Sequence, residues 1–397
     1  MDAGSLGTAP VERPNVVLIL IDGLRADHVG CYGYTRNTTP NLDALAQRGR
    51  LFLDVITPAP WSAPAMASLL AGRYPSSVDL TDLQAPLASE VSLLPERALE
   101  AGYSTAAVVS HAFVSARWSL DQGFQDFVLV QQAEPARPTS SAVTDAALRL
   151  LDKLGKGPFL LLVHYADPLP DWLEIEGYSF ADPSYRGELV AGMPYAELLR
   201  RLPRMDAEDR AQVVAHYDAE VAYTDRQMGR LLDGLRSRGR DADTLVVTTS
   251  THGMELFDHG ELGDSKTLYD ELVHVPLVMA GPGVEPGEES AAVSLIDLAP
   301  TLAASMGLAP DPATEGLALS VGQVPGEREL FSETDRARSL RSLTTGRWKL
   351  VHDLQRGTLQ LFDLALDPEE LDDLAPDGLG PMRELEASLR RWEERND

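Results

Sequence analysis

The sequence predicts an α/β protein: a mainly parallel sheet between layers of helices, followed by a small antiparallel α+β subdomain at the C-terminus. Three observations carry this. Several short runs, such as NVVLILID at 15–22, are apolar throughout instead of alternating, as strands buried on both faces are. Helical patterns lie between these runs, the order expected of a parallel sheet covered on both sides. After about residue 325 the texture changes to short strand-like stretches.

Taken in order, the first strand is 15–22, ending in an acid. A helix follows at 39–49, opened by Thr39 and Pro40 and closed by Gly49. YSTAAVVS at 103–110 is a second strand and PFLLLVHYADP at 158–168 a third. TLVVTTSTHG at 244–253 and VPLVMAGPG at 275–283 are the fourth and fifth. Helical patterns fall at 141–154, 206–237 and 295–306. The closing region reads as two or three strands with a turn at Gly357 and a helix at 379–394. The expected organisation is a tail at 1–13, a main domain at 14–326 and a subdomain at 327–397. The irregular segment 168–205 reads as a lid insertion.

With 397 residues, 44% of them hydrophobic, the chain can bury one large core. It carries 61 Asp plus Glu against 34 Lys plus Arg, a net charge of -27. Such a surface repels nucleic acid and anionic membranes, so neither is an expected partner. The single cysteine, Cys31, excludes an intramolecular disulfide and a cysteine-based zinc site. The first residues show neither a basic nor an apolar leader pattern. The expected location is cytoplasmic as the chain stands, or secreted or periplasmic if a leader has been omitted.

Ligands of parallel sheets bind beyond the carboxyl ends of the strands. Polar residues gather at those ends: Asp22, Ser110, His111, His164, Thr251 and His252. WSAPAMASLLAGRYP, residues 61–75, adds Ser62 at the start of a helical run. Two readings of Ser62 stand side by side: a nucleophile, or a helix N-cap whose hydroxyl satisfies an orphan amide.

The blocks NVVLILIDGLRADHVGCYGY, TTPNLDALAQRG, APWSAPAMASLLAGRYP, VHYADP, STHGMELFDHGELGDSKTLYDELVHVPLVM and DLAPTL, in this order, resemble the sulfatase branch of the alkaline-phosphatase superfamily. The resemblance implies an alkaline-phosphatase-like core that hydrolyses a small anionic sulfate or phosphate ester, with a divalent metal at the strand ends. It implies Ser62 as the nucleophile, Asp22 and His252 as metal ligands, and His111, His259 and Lys266 as substrate-binding groups. Ca²⁺ is the metal by resemblance, with Zn²⁺ or Mn²⁺ as alternatives. The chain departs from the family at four points. Gly23 and Thr251 stand where carboxylates are common, Met66 where the family has Arg, and Leu169 where it has His. Met66 argues against conversion of Ser62 to formylglycine, and Thr251 against tight metal binding. Three outcomes stay open: a working or impaired ester hydrolase, a catalytically inactive relative serving as a binding or interaction module, or a phosphoryl-type transferase using the same serine.

Overall fold

The computed structural model describes residues 13–82, 84–131, 138–319, 328–378 and 380–396. All but Arg13 of the expected tail, and the expected boundary at 326/327, lie outside these residues.

The first strand, β1 (Asn15–Ile21), is buried along its whole length. Its even residues Val16, Leu18 and Leu20 belong to one hydrophobic core and its odd residues Val17, Ile19 and Ile21 to another. That division explains the uninterrupted apolar run, since side chains on a strand alternate faces and both faces here are covered. The other strands of the main sheet are β2 (Arg50–Phe52), β3 (Ser104–Val109), β4 (Asp126–Leu129), β5 (Phe159–Tyr165), β6 (Thr244–Thr249), β7 (Leu277–Ala280) and β8 (Gly287–Glu289). They lie in the order β8-β2-β7-β6-β1-β5-β3-β4. Neighbours from β6 through β4 run parallel, while β7 is antiparallel to both β6 and β2.

Helices α1 (Pro40–Gln47), α3 (Ser140–Lys153) and α4 (Ala207–Ser237) cover one face. Helices α2 (Ser62–Ala71) and α5 (Leu298–Ser305) cover the other. The C-terminal subdomain has four antiparallel strands, one more than the largest number expected: Leu330–Thr334, Leu340–Thr344, Trp348–Asp353 and Thr358–Asp363. A closing helix, α6 (Met382–Asn396), lays Leu385, Leu389 and Trp392 on that sheet, a spacing that keeps them on one helical face. Segment 168–205 has its own short helical turn at Tyr195–Arg201, and Trp172, Leu189 and Leu198 anchor it in the main core.

The register of the central strands sets the site. Leu20 pairs with His164 on one side and Thr249 on the other. The three chains therefore leave the sheet together, placing Asp22, His164 and the Ser250–His252 turn at one edge. Val108 pairs with Val163, which brings Ser110 and His111 to the same edge.

Helix α1 is capped from a distance. Thr39, the expected cap, instead accepts from the Gly30 amide at 2.8 Å. Asp225 of α4, itself buried, accepts from the amides of Asn41 and Leu42 at 3.0 and 2.9 Å and from the Asn41 side chain at 2.7 Å. Removing this carboxylate strands helix-terminal amides away from water. Asp225→Ala is expected to cost about 2–3 kcal/mol in urea denaturation; a loss under ~0.5 kcal/mol would show that water replaces the cap.

Candidate active site

The site is built around a buried charge. Asp22 is fully enclosed, and its amide donates to the Tyr165 carbonyl at 2.9 Å, locking it to the end of β5. The Thr251 hydroxyl donates to Asp22 Oδ1. His164 Nε2 lies 2.9 Å from Oδ2, although the contact lacks hydrogen-bond alignment. Burial alone would raise the Asp22 pKa. His164, backed by His252 and His111, outweighs burial and holds the carboxyl well below the usual range. Burial pushes the His111 imidazole down, against the pull of Asp22.

Ser62 is the first residue of α2, and Trp61 is its cap residue in extended conformation. No side-chain cap bond closes this end, so the N-cap reading of Ser62 is corrected. Its hydroxyl faces His252 instead, with Oγ 3.4 Å from Nε2. His252 Nδ1 lies 2.8 Å from the Gly253 carbonyl, an acceptor only. Nδ1 must therefore carry the proton, which leaves the Nε2 lone pair of the neutral ring toward Ser62. The pair has the nucleophile-and-base arrangement, at a separation typical of a site without substrate.

Above Ser62 is a cavity of about 200 Å³, lined by Trp61, His111, Phe113, Leu169, Asp264 and Arg336 among others. Two buried polar atoms of residues that line it lack hydrogen-bond partners: Trp61 Nε1 and His111 Nδ1. Unpaired buried polar atoms are costly, and these two leave the cavity wall with hydrogen-bonding capacity to spare.

Of the residues the sequence singled out, Asp22, Ser62, His111 and His252 are brought together. His259 and Lys266 are each held by an acid instead. Lys266 Nζ is held by Glu261 at 2.9 Å and the Leu262 carbonyl at 3.2 Å. His259 stacks on Tyr269 at 3.6 Å between ring centroids and contacts Glu271 at 2.6 Å and the Glu370 carbonyl at 3.1 Å. Both of its nitrogens face acceptors, so it sits there as an imidazolium. His164, Trp61, Phe113, Asp264 and Arg336 were not predicted as site residues. Only His164 gave a signal, as a polar residue ending an apolar strand.

The expected metal can be tested against these donors. A hard dication prefers several carboxylate or carbonyl oxygens. Among the described residues, Asp22 is the carboxylate that meets His164 and Thr251, and one of its oxygens already receives a hydroxyl hydrogen bond; Asp167, past the end of β5, is held by Ser140 instead. The place of a second acid is filled: a Cβ at Gly23 would meet Met254 Cε at 2.9 Å and Leu169 Cδ2 at 3.1 Å. Among the described residues, the three acid or imidazole groups with ligand atoms all within 4.8 Å are Glu255, His259 and Glu271, not those around Asp22. The residues at Asp22 do not fit Ca²⁺.

Two predictions follow from these charges. Thr251→Asp sets a second carboxylate beside Asp22 and removes the donor. It is expected to destabilise the protein in EDTA by at least about 2 kcal/mol, with recovery in Ca²⁺, while the melting point of the natural chain ignores Ca²⁺. A Ca²⁺-dependent rise in the natural chain would contradict this reading. The second concerns His259. Burial would depress it, but the hydrogen bond and charge of Glu271 push it up to about 9. Its folded pKa exceeds its unfolded value of about 6.5. Its contribution is thus complete below the unfolded value and lost as pH rises through about 9. The melting temperature should fall across that window, and His259→Asn should flatten the fall; an equally steep fall in the variant would assign it elsewhere.

A profile of the sulfatase family matches residues 14–308. Choline-sulfatase of Rhizobium meliloti (strain 1021) is 27% identical over 434 residues, covering 93% of this chain and 84% of its own. Arylsulfatase A of Homo sapiens is 27% identical over 408 residues, covering 91% and 79%. Among solved structures, a 2-O GAG sulfatase superposes with a TM-score of 0.81 at 21% identity, covering 97% of this chain and 92% of its own. The phosphonate monoester hydrolase of Silicibacter pomeroyi gives 0.79 at 21% identity, covering 96% and 95%. The strand-end site, the α/β layers, the antiparallel C-terminal sheet and the match over residues 14–308 agree: the chain belongs to the sulfatase family.

Proposed function

We propose that the chain hydrolyses a small sulfate or phosphonate ester, with unmodified Ser62 as the nucleophile and His252 as its base. The observation that carries this is the Ser62–His252 contact, in which Gly253 fixes the base in the tautomer that can take the serine proton. Met66, where the family has Arg, is buried in the apolar core, so it offers the site no charge.

The chemistry balances with these residues. As Ser62 Oγ bonds to sulfur or phosphorus, its proton passes to His252 Nε2. The bond to the alcohol oxygen breaks on the opposite side, and that oxygen takes a proton from solvent at the cavity mouth. His252 then releases its proton to solvent and accepts another from the attacking water. The Ser62 bond breaks as the acid is released, and Oγ regains its proton. The N-terminal end of α2, where no side-chain cap bond is made, faces the charge that develops at Oγ.

Relatives named for choline and aryl sulfates, and a similar fold named for phosphonate monoesters, support a small alcohol. The cavity of about 200 Å³ points the same way, being smaller than the pockets of about 300–1,000 Å³ that enclose drug-sized ligands.

The test is turnover of p-nitrophenyl sulfate, p-nitrophenyl phosphate and p-nitrophenyl phenylphosphonate. Ser62→Ala should fall to background and His252→Ala by about 10²–10⁴-fold, both with unchanged melting points. Full activity in Ser62→Ala would overturn the assignment. Failure of the natural chain on every ester would favour the binding-module alternative.

A further inference from the structure

We infer that Arg336, carried by the C-terminal subdomain, is the cation that holds the anionic group of the ester over Ser62. This rests on the reading of Ser62 given above.

Arg336 lies in the turn between the strands Leu330–Thr334 and Leu340–Thr344, and it lines the same cavity as Ser62. Its guanidinium carbon stands 4.5 Å from the ring centre of Trp61 and 4.5 Å from that of Phe113. Contacts with ring faces orient a guanidinium without using its N–H edge, because the attraction is to the ring quadrupole. The N–H groups therefore stay available to a tetrahedral oxyanion, which guanidinium donors match as a fork.

Its neighbours behave differently. Arg338 pairs with Asp353 at 2.6 Å, and Arg341 with Asp335 at 3.0 Å. Among the described residues Arg336 has no carboxylate partner, in a chain with 61 acids and 34 bases. An arginine clamped by two rings in the cavity wall, beside a serine facing a base, is placed for an anion from outside.

Of the other candidate cations, Met66 replaces the family Arg, and Lys266 is paired with Glu261. Asp264 also lines the cavity and would repel an anion. The favourable position for the sulfate or phosphonate group is then between Arg336 and the His111 and Ser62 side, with Asp264 facing the alcohol portion. The main domain supplies the nucleophile, and the subdomain supplies the charge.

The test is calorimetric binding of inorganic sulfate and inorganic phosphate to the full chain at low and high salt. Melting curves of each protein accompany it. The natural chain should bind, more weakly in high salt, and Ser62→Ala should bind within about threefold of it, since removing a neutral hydroxyl leaves the charge in place. Arg336→Gln should lose at least tenfold in affinity, and Arg336→Lys should recover only part, because an ammonium cannot repeat the stacked fork. If Arg336→Gln merely lowers the melting point and binds sulfate normally, the residue is a structural tether and the inference fails. If the natural chain binds neither anion, it fails as well. Loss of turnover in Ser62→Ala with anion binding kept separates the two assignments. Binding that persists in Ser62→Ala and vanishes in Arg336→Gln supports the clamp even if another residue proves to be the nucleophile.

Discussion

A carboxylate enclosed at the end of the central strand must be neutralised by its surroundings, and much of the site follows from that requirement. Asp22 has no access to water. An uncompensated charge there would cost more than the fold can spare. His164 and Thr251 answer it, one from each neighbouring strand, and they can do so because the parallel register ends all three strands at the same level. The same turn that delivers Thr251 delivers His252 to Ser62. Neutralising Asp22 and forming the serine–histidine pair are thus two consequences of one register.

The departures from the family pattern form a coherent set in space. Gly23 removes an acid, and Met254 and Leu169 close over the vacated position. Thr251 turns what would be a second acid into a donor for the first. Two positions where the family commonly has carboxylates hold Gly23 and Thr251, which leaves Asp22 among imidazoles and apolar groups. Beside Asp22 the chain presents a serine, a histidine with Nε2 toward it and an arginine stacked from the subdomain. This changes which groups meet the negative charge of an ester, while leaving the geometry of the strand ends intact.

Much of this frame was legible in the sequence. Strands β1, β3, β5 and β6 are buried runs of six or seven residues, and burial on both faces is what an apolar run encodes. The strands that escaped notice are edge elements or short ones. Gly287–Glu289 is largely exposed and Asp126–Leu129 only partly buried, so neither shows a clear pattern. Strand direction is not written in composition, hence the antiparallel β7. Asp22, Ser62, His111 and His252 were readable as polar residues at strand and helix ends. The capping role of Ser62 was a fair reading of a serine before a helix, but the helix starts one residue earlier than that role requires. His259 and Lys266 occupy family positions, yet Glu271 and Glu261 claim them, and such pairings depend on tertiary placement. Arg336 sits in a hairpin turn 274 residues after Ser62, and nothing local to its sequence points at the cavity.

The most direct measurement is mass spectrometry of the peptide carrying Ser62, before and after acid-quenching the protein during turnover of a sulfate ester. The account predicts an unmodified serine at rest and the mass of one added sulfuryl group on Ser62 in the quenched sample, absent in Ser62→Ala. A resting peptide with the mass of formylglycine, or an adduct on another residue, would contradict it.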